Sequence, residues 1–284
     1  MQGMNIATTK GAKRFTLFYV YVILGVLTLL CAFPLYIMFI NSTRSNVEIL
    51  NGISFLPSTY TVDNYFTMQR KVPIWHGFLN SAMITVPFTI LAAYFSSLTA
   101  YGFAMYNFRF KKYIFGFVLA TMMVPMQLGL IGYFEFCNYF GLLDTYFPLI
   151  ITGAVNTGSV FFIKQYTEQS LPVSLLEAAR MDEATEVQIF HRIALPIISP
   201  SIATMSIFNF VFCWNNYMGP LVLLFSESKY PLPVLISLVR GTAHRTDFGA
   251  MYLTITLSVL PIIIAYAFFS KYLISGLTVG AVKE

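Results

Sequence analysis

Of 284 residues, 57% are hydrophobic, 17% aromatic and only 10% charged, with a mean hydropathy of +0.70 and a formal net charge of +5. The 17 Lys or Arg and 12 Asp or Glu are too few to coat a soluble globule of 32.1 kDa, in which about a quarter of residues carry charge. The same figures exclude a disordered chain, and the lack of basic stripes excludes a nucleic-acid module, which leaves an integral membrane protein.

A helix crosses the hydrocarbon core with about 20 apolar residues. Six stretches free of Asp, Glu, Lys, Arg and His reach that length: Phe15–Thr43, Gly77–Phe108, Tyr113–Phe134, Thr145–Ile163, Ile193–Ser226 and Phe248–Ser270. None alternates as a barrel strand would, so the fold class expected is an all-α membrane protein with six transmembrane helices. Lys10, Lys13 and Arg14 precede the first stretch, which is too long for the apolar core of a cleaved signal peptide and reads as an anchor. With the N-terminus inside, the inner segments hold eleven Lys and Arg and the outer ones six, and the short turn Arg109–Lys112 supplies three of the inner charges. That asymmetry places both termini in the cytoplasm.

The organisation expected is a cytoplasmic N-terminus (1–14), a first transmembrane helix (15–40), an extracytoplasmic loop (41–76), a five-helix core (77–270) and a cytoplasmic tail (271–284). Pro34, Pro87, Pro125, Pro148 and Pro261 fall inside apolar runs and are expected as kinks, because neighbouring helices can re-satisfy a backbone that proline interrupts. Cys31, Cys137 and Cys213, odd in number and set in or beside apolar runs, read as small buried hydrophobes. His76, His191 and His244 have no metal-ligand spacing.

Between the fourth and fifth stretches, Glu177, Arg180, Asp182, Glu183, Glu186 and Arg192 stand among Leu, Ile and Ala. Six charges at mid-bilayer would cost roughly 15–20 kcal/mol, so this segment is expected in the cytoplasm. Ser174-Leu175-Leu176-Glu177 and Thr185-Glu186-Val187-Gln188 both have the form of capping boxes. They predict two short helices with a turn at Asp182–Ala184, the second ending near Leu195 because Pro196 disfavours helical geometry before it. Ala178 and Ala179 give the first helix a slim face, and Val187, Phe190 and Ala194 give the second an apolar edge. Such a hairpin fits either a plug for a cytoplasmic partner's groove or an amphipathic connector on the lipid surface, although the latter is normally basic and this segment is acidic.

The run Glu177-Ala178-Ala179-Arg180-Met181-Asp182-Glu183-Ala184, followed by Phe190, Ile193, Leu195-Pro196 and Pro200, resembles the EAA signature of ABC importer permeases. The tail Gly276-Leu277-Thr278-Val279-Gly280-Ala281-Val282-Lys283-Glu284 and the stretch Trp214-Asn215-Asn216-Tyr217-Met218-Gly219-Pro220-Leu221 are similar to the maltose-type, MalG-like carbohydrate permeases. This resemblance implies a type I importer permease fold in which segment 171–196 is a coupling helix seated in an ATP-hydrolysing subunit. The docking residues it implies are Ser174, Glu177, Ala178, Ala179, Arg180, Asp182, Glu183, Ala184, Phe190, Leu195 and Pro196, with a tail contact at Gly276, Leu277, Thr278, Gly280 and Ala281. It further implies an assembly of two homologous permeases, two ATP-binding subunits and an extracytoplasmic sugar-binding protein in a bacterial inner membrane. ATP and Mg would then be bound by the partner and no cofactor by this chain. Glu183 stands where the family has Gly, so either the turn keeps ordinary backbone angles or Glu183 is strained.

Trp214, Asn215, Asn216 and Tyr217 read either as a sugar path or as an aromatic belt at the outer end of the fifth stretch. Gly219-Pro220 reads either as a helix break beside such a path or as a plain helix end. No phosphate loop occurs, so ATP hydrolysis is not expected here. The function expected is therefore the membrane-spanning subunit of an ATP-driven carbohydrate importer. Rival readings are a permease for a non-sugar solute, an ion-coupled transporter and an intramembrane hydrolase. The last two call for ionisable or catalytic groups at mid-membrane that these stretches lack.

Overall fold

The computed structural model describes residues 10–240 and 246–278, and among them all regular structure is helical. In chain order the α-helices are α1 (Lys10–Ser42), α2 (Asn46–Leu50), α3 (Thr61–Lys71), α4 (Ile74–Met105), α5 (Lys111–Thr121), α6 (Leu130–Tyr139) and α7 (Phe147–Ile151). They continue as α8 (Thr157–Ser170), α9 (Val173–Met181), α10 (Glu186–Ile189), α11 (Leu195–Trp214), α12 (Met218–Leu223), α13 (Leu232–Arg240) and α14 (Phe248–Thr278). Five helical stretches are long and apolar enough to cross a membrane: Phe15–Ser42, Ile74–Met105, Phe147–Ser170, Glu186–Trp214 and Phe248–Phe268.

The third apolar stretch is the exception among the six expected. Tyr113–Phe134 is no single span, because α5 stops at Thr121 and α6 starts at Leu130, with a turn and the 3-10 segment Met126–Gly129 between them. Pro125 sits at the break with extended backbone (φ −59°, ψ 123°), and it can neither donate to a helical ladder nor let Val124 settle into one. Of the other prolines expected as kinks, Pro34, Pro87 and Pro261 lie inside helices and Pro148 in the first turn of α7.

The described residues form two compact units, those within 1–71 and 239–257 and those within 72–238 and 258–284. In the first, α1 exposes apolar side chains from Phe15 to Phe39, as a lipid-facing helix does. The segment after it is folded rather than a plain loop. Ser45 and Glu48 make a reciprocal capping box at the start of α2, a signature present in the sequence itself. Arg44, 7% exposed, donates to Asn41 Oδ1 at 3.1 Å and to the carbonyl oxygens of Gly52 and Glu48. Asp247 pairs with Lys71 at 2.5 Å and accepts from Asn46 at 3.0 Å, and Lys71 holds its carboxyl below the usual range. Gly249 allows the start of α14 to seat here, since a Cβ would stand 2.6 Å from the Arg44 carbonyl oxygen.

In the second unit α4, α8 and α11 pack together through small residues, with Ala92, Ser96, Ser97, Ala100, Ser159, Ser201 and Thr204 fully buried. Without a hydrophobic force between helices in lipid, close backbone approach and interhelical hydrogen bonds drive such packing. Asn209 supplies the bonds, accepting from Asn156 and donating to Ser159 Oγ, both at 2.9 Å. Asn156 occupies a non-helical step between the 3-10 segment Thr152–Ala154 and α8, and its side chain caps α8 by accepting from the Ser159 amide. Gly153 lies against the α4 backbone, where a Cβ would meet the Phe88 carbonyl oxygen at 2.4 Å.

Candidate functional site

Two places in the second unit carry polar chemistry out of proportion to their apolar surroundings: the hairpin α9–α10, and a cavity beside the far end of α11. The hairpin forms largely as its sequence dictates. Thr185 Oγ1 accepts from the Gln188 amide while Gln188 Oε1 accepts from the Thr185 amide, the second capping box expected. The turn falls at Asp182–Ala184. Glu183 adopts φ +60°, so the position where the resemblance expects Gly is indeed left-handed. The Ala184 amide reaches the Ala179 carbonyl at 3.0 Å and the Glu183 amide the Arg180 carbonyl at 3.1 Å, the two bonds of a Schellman ending.

Two local expectations fail. Ser174 is not a cap, because α9 begins at Val173 with Pro172 as its N-cap, which places the Ser174 hydroxyl inside the first turn. The second helix does not end near Leu195. It passes from α10 through the π-turn Phe190–Ala194 into α11, with Leu195 at φ −57°, ψ −45° and its amide bonded to the Phe190 carbonyl. A π-turn widens the ring of backbone bonds, so the Pro196 ring finds room where an ordinary helix would clash.

The hairpin has an inner and an outer side. Leu176, Ala179, Ile189, Phe190 and Ala194 are buried with Tyr101 and Leu171, anchoring it to the end of α4, and Ala184 and Leu195 lie partly buried against them. Glu177, Ala178, Asp182, Glu183 and Val187 stand free on the other side with Met181 and Pro196, so the two alanines expected on one face are divided. Arg180 spends its charge internally: its guanidinium bonds Glu186 at 2.8 and 3.4 Å and lies over the Tyr106 ring, whose hydroxyl also bonds Glu186. This cluster ties α9 to α10 and both to the end of α4.

The helix that leaves the hairpin reaches the second place. Glu186–Trp214 comprises 29 residues, roughly 40 Å of rod, and ends at a turn, Asn215–Tyr217, upstream of the Gly219-Pro220 pair read as a helix break or a helix end. Asn215, Asn216 and Tyr217 line a cavity of about 650 Å³ together with Gln127, Tyr133 and Thr152. Trp214 does not line it. It is 4% exposed, stacks on Phe210 and donates to the Ser258 carbonyl at 3.1 Å, a packing role. Sequence reading missed Gln127, Tyr133 and Thr152. Gln127 comes into play because the third stretch breaks, and Tyr133 because its hydroxyl bonds the Pro148 carbonyl at 2.8 Å. At the end of α12, Asp144 (φ +56°) holds the wall in place: its amide donates to the carbonyl of the lining Leu223 at 2.8 Å, and its carboxylate accepts from Ser226 Oγ at 2.6 Å, Lys229 Nζ at 2.7 Å and the amides of Phe225 and Ser226 at 3.0 Å.

Gly276, Leu277 and Thr278 end α14, while Gly280 and Ala281 lie outside the described residues. Among the described residues no cluster of His, Cys, Asp or Glu could hold a metal ion.

Several helices long and apolar enough to cross a membrane, joined by a charged hairpin, define a multi-pass membrane protein. Residues 86–279 match the family of binding-protein-dependent transport system inner membrane components, and the chain belongs to that family of transport permeases. It is 36% identical to the arabinooligosaccharides transport system permease AraQ of Bacillus subtilis, covering 90% of this chain and 92% of the relative. Against AraQ of Halalkalibacterium halodurans identity is 34%, covering 89% and 92%. A solved bacterial ABC transporter involved in import of the acidic polysaccharide alginate superposes with TM-score 0.79 at 25% identity, covering 93% of this chain and 98% of that one.

Proposed function

We propose that this chain is one of two homologous permease subunits in an ATP-driven, binding-protein-dependent importer of oligosaccharides. The observation that carries this reading is the identity of a third or more, over nine-tenths of the chain, to permeases named for arabinooligosaccharides. Both termini lie in the cytoplasm of a bacterium, and α5 with α6 forms a broken sixth crossing. Two ATP-binding subunits hold ATP and Mg; an extracytoplasmic binding protein delivers the sugar.

The coupling element is the hairpin. Its outer side, Glu177, Ala178, Asp182 and Glu183, seats in an ATP-binding subunit, and its buried side transmits the push. Because α10 runs unbroken into α11, a displacement of the hairpin arrives at Asn215–Tyr217 without a flexible joint in between. The amides of Gln127, Asn215 and Asn216 offer donors and acceptors to sugar hydroxyls, and Tyr217 offers a ring face to a pyranose or furanose. The Gly276–Ala281 tail makes a second contact with the ATP-binding pair.

The test is reconstitution with the cognate ATPase and binding protein. Glu177→Arg and Ala178→Arg, both on the free side of the hairpin, should abolish sugar-stimulated ATP turnover and complex recovery while leaving the thermal melt of the chain unchanged. Unchanged turnover and assembly would refute the docking role. Asn216→Ala should lower uptake without loss of assembly.

A further inference from the structure

A second cavity, of about 520 Å³, opens past the C-terminal end of α4, lined by Asn107, Phe108, Lys111, Lys112, Phe115 and Lys164 among others. It lies on the hairpin's side of the molecule: Lys111 Nζ donates to the Tyr106 carbonyl at 2.9 Å, and the Tyr106 hydroxyl bonds Glu186 at the start of α10. Three lysines thus line one space where α4 gives way to its connecting turn. Lys164, 8% exposed, pairs with Glu168 at 2.7 Å and stands 4.7 Å from the Phe115 ring centroid. Among the described residues neither Lys111 nor Lys112 has a carboxylate within ion-pair distance, so positive charge is left over. The neighbouring Arg109 lies over the Phe110 ring and adds to it.

A turn that merely sets topology needs basic residues but no cavity. Here the lysines are set among rings, and Phe108, Phe110 and Tyr113 are 43%, 57% and 77% exposed. Exposed rings beside ammonium groups mark the level at which acyl chains give way to head groups. Basic pockets between helices on the cytoplasmic side attract acidic lipid head groups. The first turn of α5, Lys111 to Tyr113, also lines the space, and its partial positive charge favours an anion in the same spot.

We propose that this cavity holds the phosphate of an anionic phospholipid, bound by Lys111, Lys112 and Lys164, with its chains against Phe108, Phe110 and Tyr113. The lipid pins the α4–α5 turn beside the hairpin and leaves the sugar path untouched. None of these residues takes part in the ATPase docking or sugar contacts proposed above, so either proposal can fail alone.

The experiment is native mass spectrometry of the purified complete importer, incubated with phosphatidylglycerol, with phosphatidylcholine, or with inorganic phosphate as competitor. Phosphatidylglycerol should be retained in preference to phosphatidylcholine and resist displacement by inorganic phosphate. Lys112→Gln should weaken retention about fivefold and Lys111→Gln with Lys112→Gln about twenty-fivefold, following the worth of one lysine near an anionic surface. Arg192→Gln, which removes an exposed charge outside the cavity, should leave retention as it was and so controls for net charge. Equal retention of both lipids, or retention untouched by the double variant, overturns the proposal. Displacement by inorganic phosphate overturns it too, in favour of a soluble-anion site.

Discussion

Pro125 and Pro196 present the same ring to two different surroundings, and the chain answers differently. At Pro125 the helix breaks, and Met122, Met123 and Val124 before it are 46%, 85% and 61% exposed, with little to hold them in a continuous rod. At Pro196 the helix goes on, because the π-turn that makes room for the ring is itself packed, with Phe190 and Ala194 at 2% and 0% exposed. Proline removes one hydrogen bond and adds one clash in both places; tertiary packing decides whether the backbone absorbs that or gives way. On the function proposed above, the outcome matters for transport. One proline leaves a rod joining hairpin to cavity, and the other opens the gap through which Gln127 comes to line the cavity.

The most damaging way to break this comparison is to empty the π-turn. Phe190→Ala should cost about 3–5 kcal/mol, read as a lower melting temperature of the purified importer, and should uncouple ATP turnover from uptake. An unchanged melt would mean that packing does not hold the turn. Next comes Pro125→Ala, which relieves about 3 kcal/mol of resistance to helix. A single helix should then run from α5 into α6, detectable as greater helicity by circular dichroism, with Gln127 drawn from the cavity and uptake reduced. Unaltered helicity would place the cause of the break elsewhere than in the proline.

A smaller effect, of opposite sign, is expected at the hairpin turn. Glu183→Gly should raise the melting temperature by the equivalent of about 1 kcal/mol, since the left-handed backbone no longer strains a side chain. Glu183→Val should lower it. The smallest effect is electrostatic. Hydrogen bonds from Lys229, first, and then from Ser226 and Phe225 hold the Asp144 carboxyl well below its ordinary range. A folded value below the unfolded one gives stability that is present above about pH 4 and lost as pH falls through the lowered value. Melts of the wild-type protein between pH 7 and pH 3 should therefore fall more steeply than those of Asp144→Asn, and parallel curves would remove Asp144 from the wall-holding role.

Much of the hairpin was legible beforehand. Thr185 and Gln188 cap each other three residues apart, and the turn follows from residues beside it; no distant partner is needed for either. Ser174 and Glu177 satisfy the same pattern and do not cap, because Pro172 starts the helix earlier than the pattern assumes. The division of Ala178 from Ala179 was not legible, since both suit a slim face and only the positions of Tyr101 and Phe190 choose between them. Asn215, Asn216 and Tyr217 were read as one cluster with Trp214, yet the indole turns away to Ser258, more than forty positions along. Gln127 carried no signal at all, because a lone Gln in an apolar run looks like surface until the run is broken.

By itself the sequence determined that this chain is a membrane protein, that it carries a charged two-helix segment, and how that segment turns. Those properties come from transfer free energy summed over about 20 residues and from hydrogen bonds between near neighbours, both written in consecutive letters. Tertiary structure alone decided which proline ends a helix, which alanine is hidden and which side chains share a cavity. Each depends on whether groups far away in the chain fill a space or satisfy a backbone atom, and no local spacing encodes that.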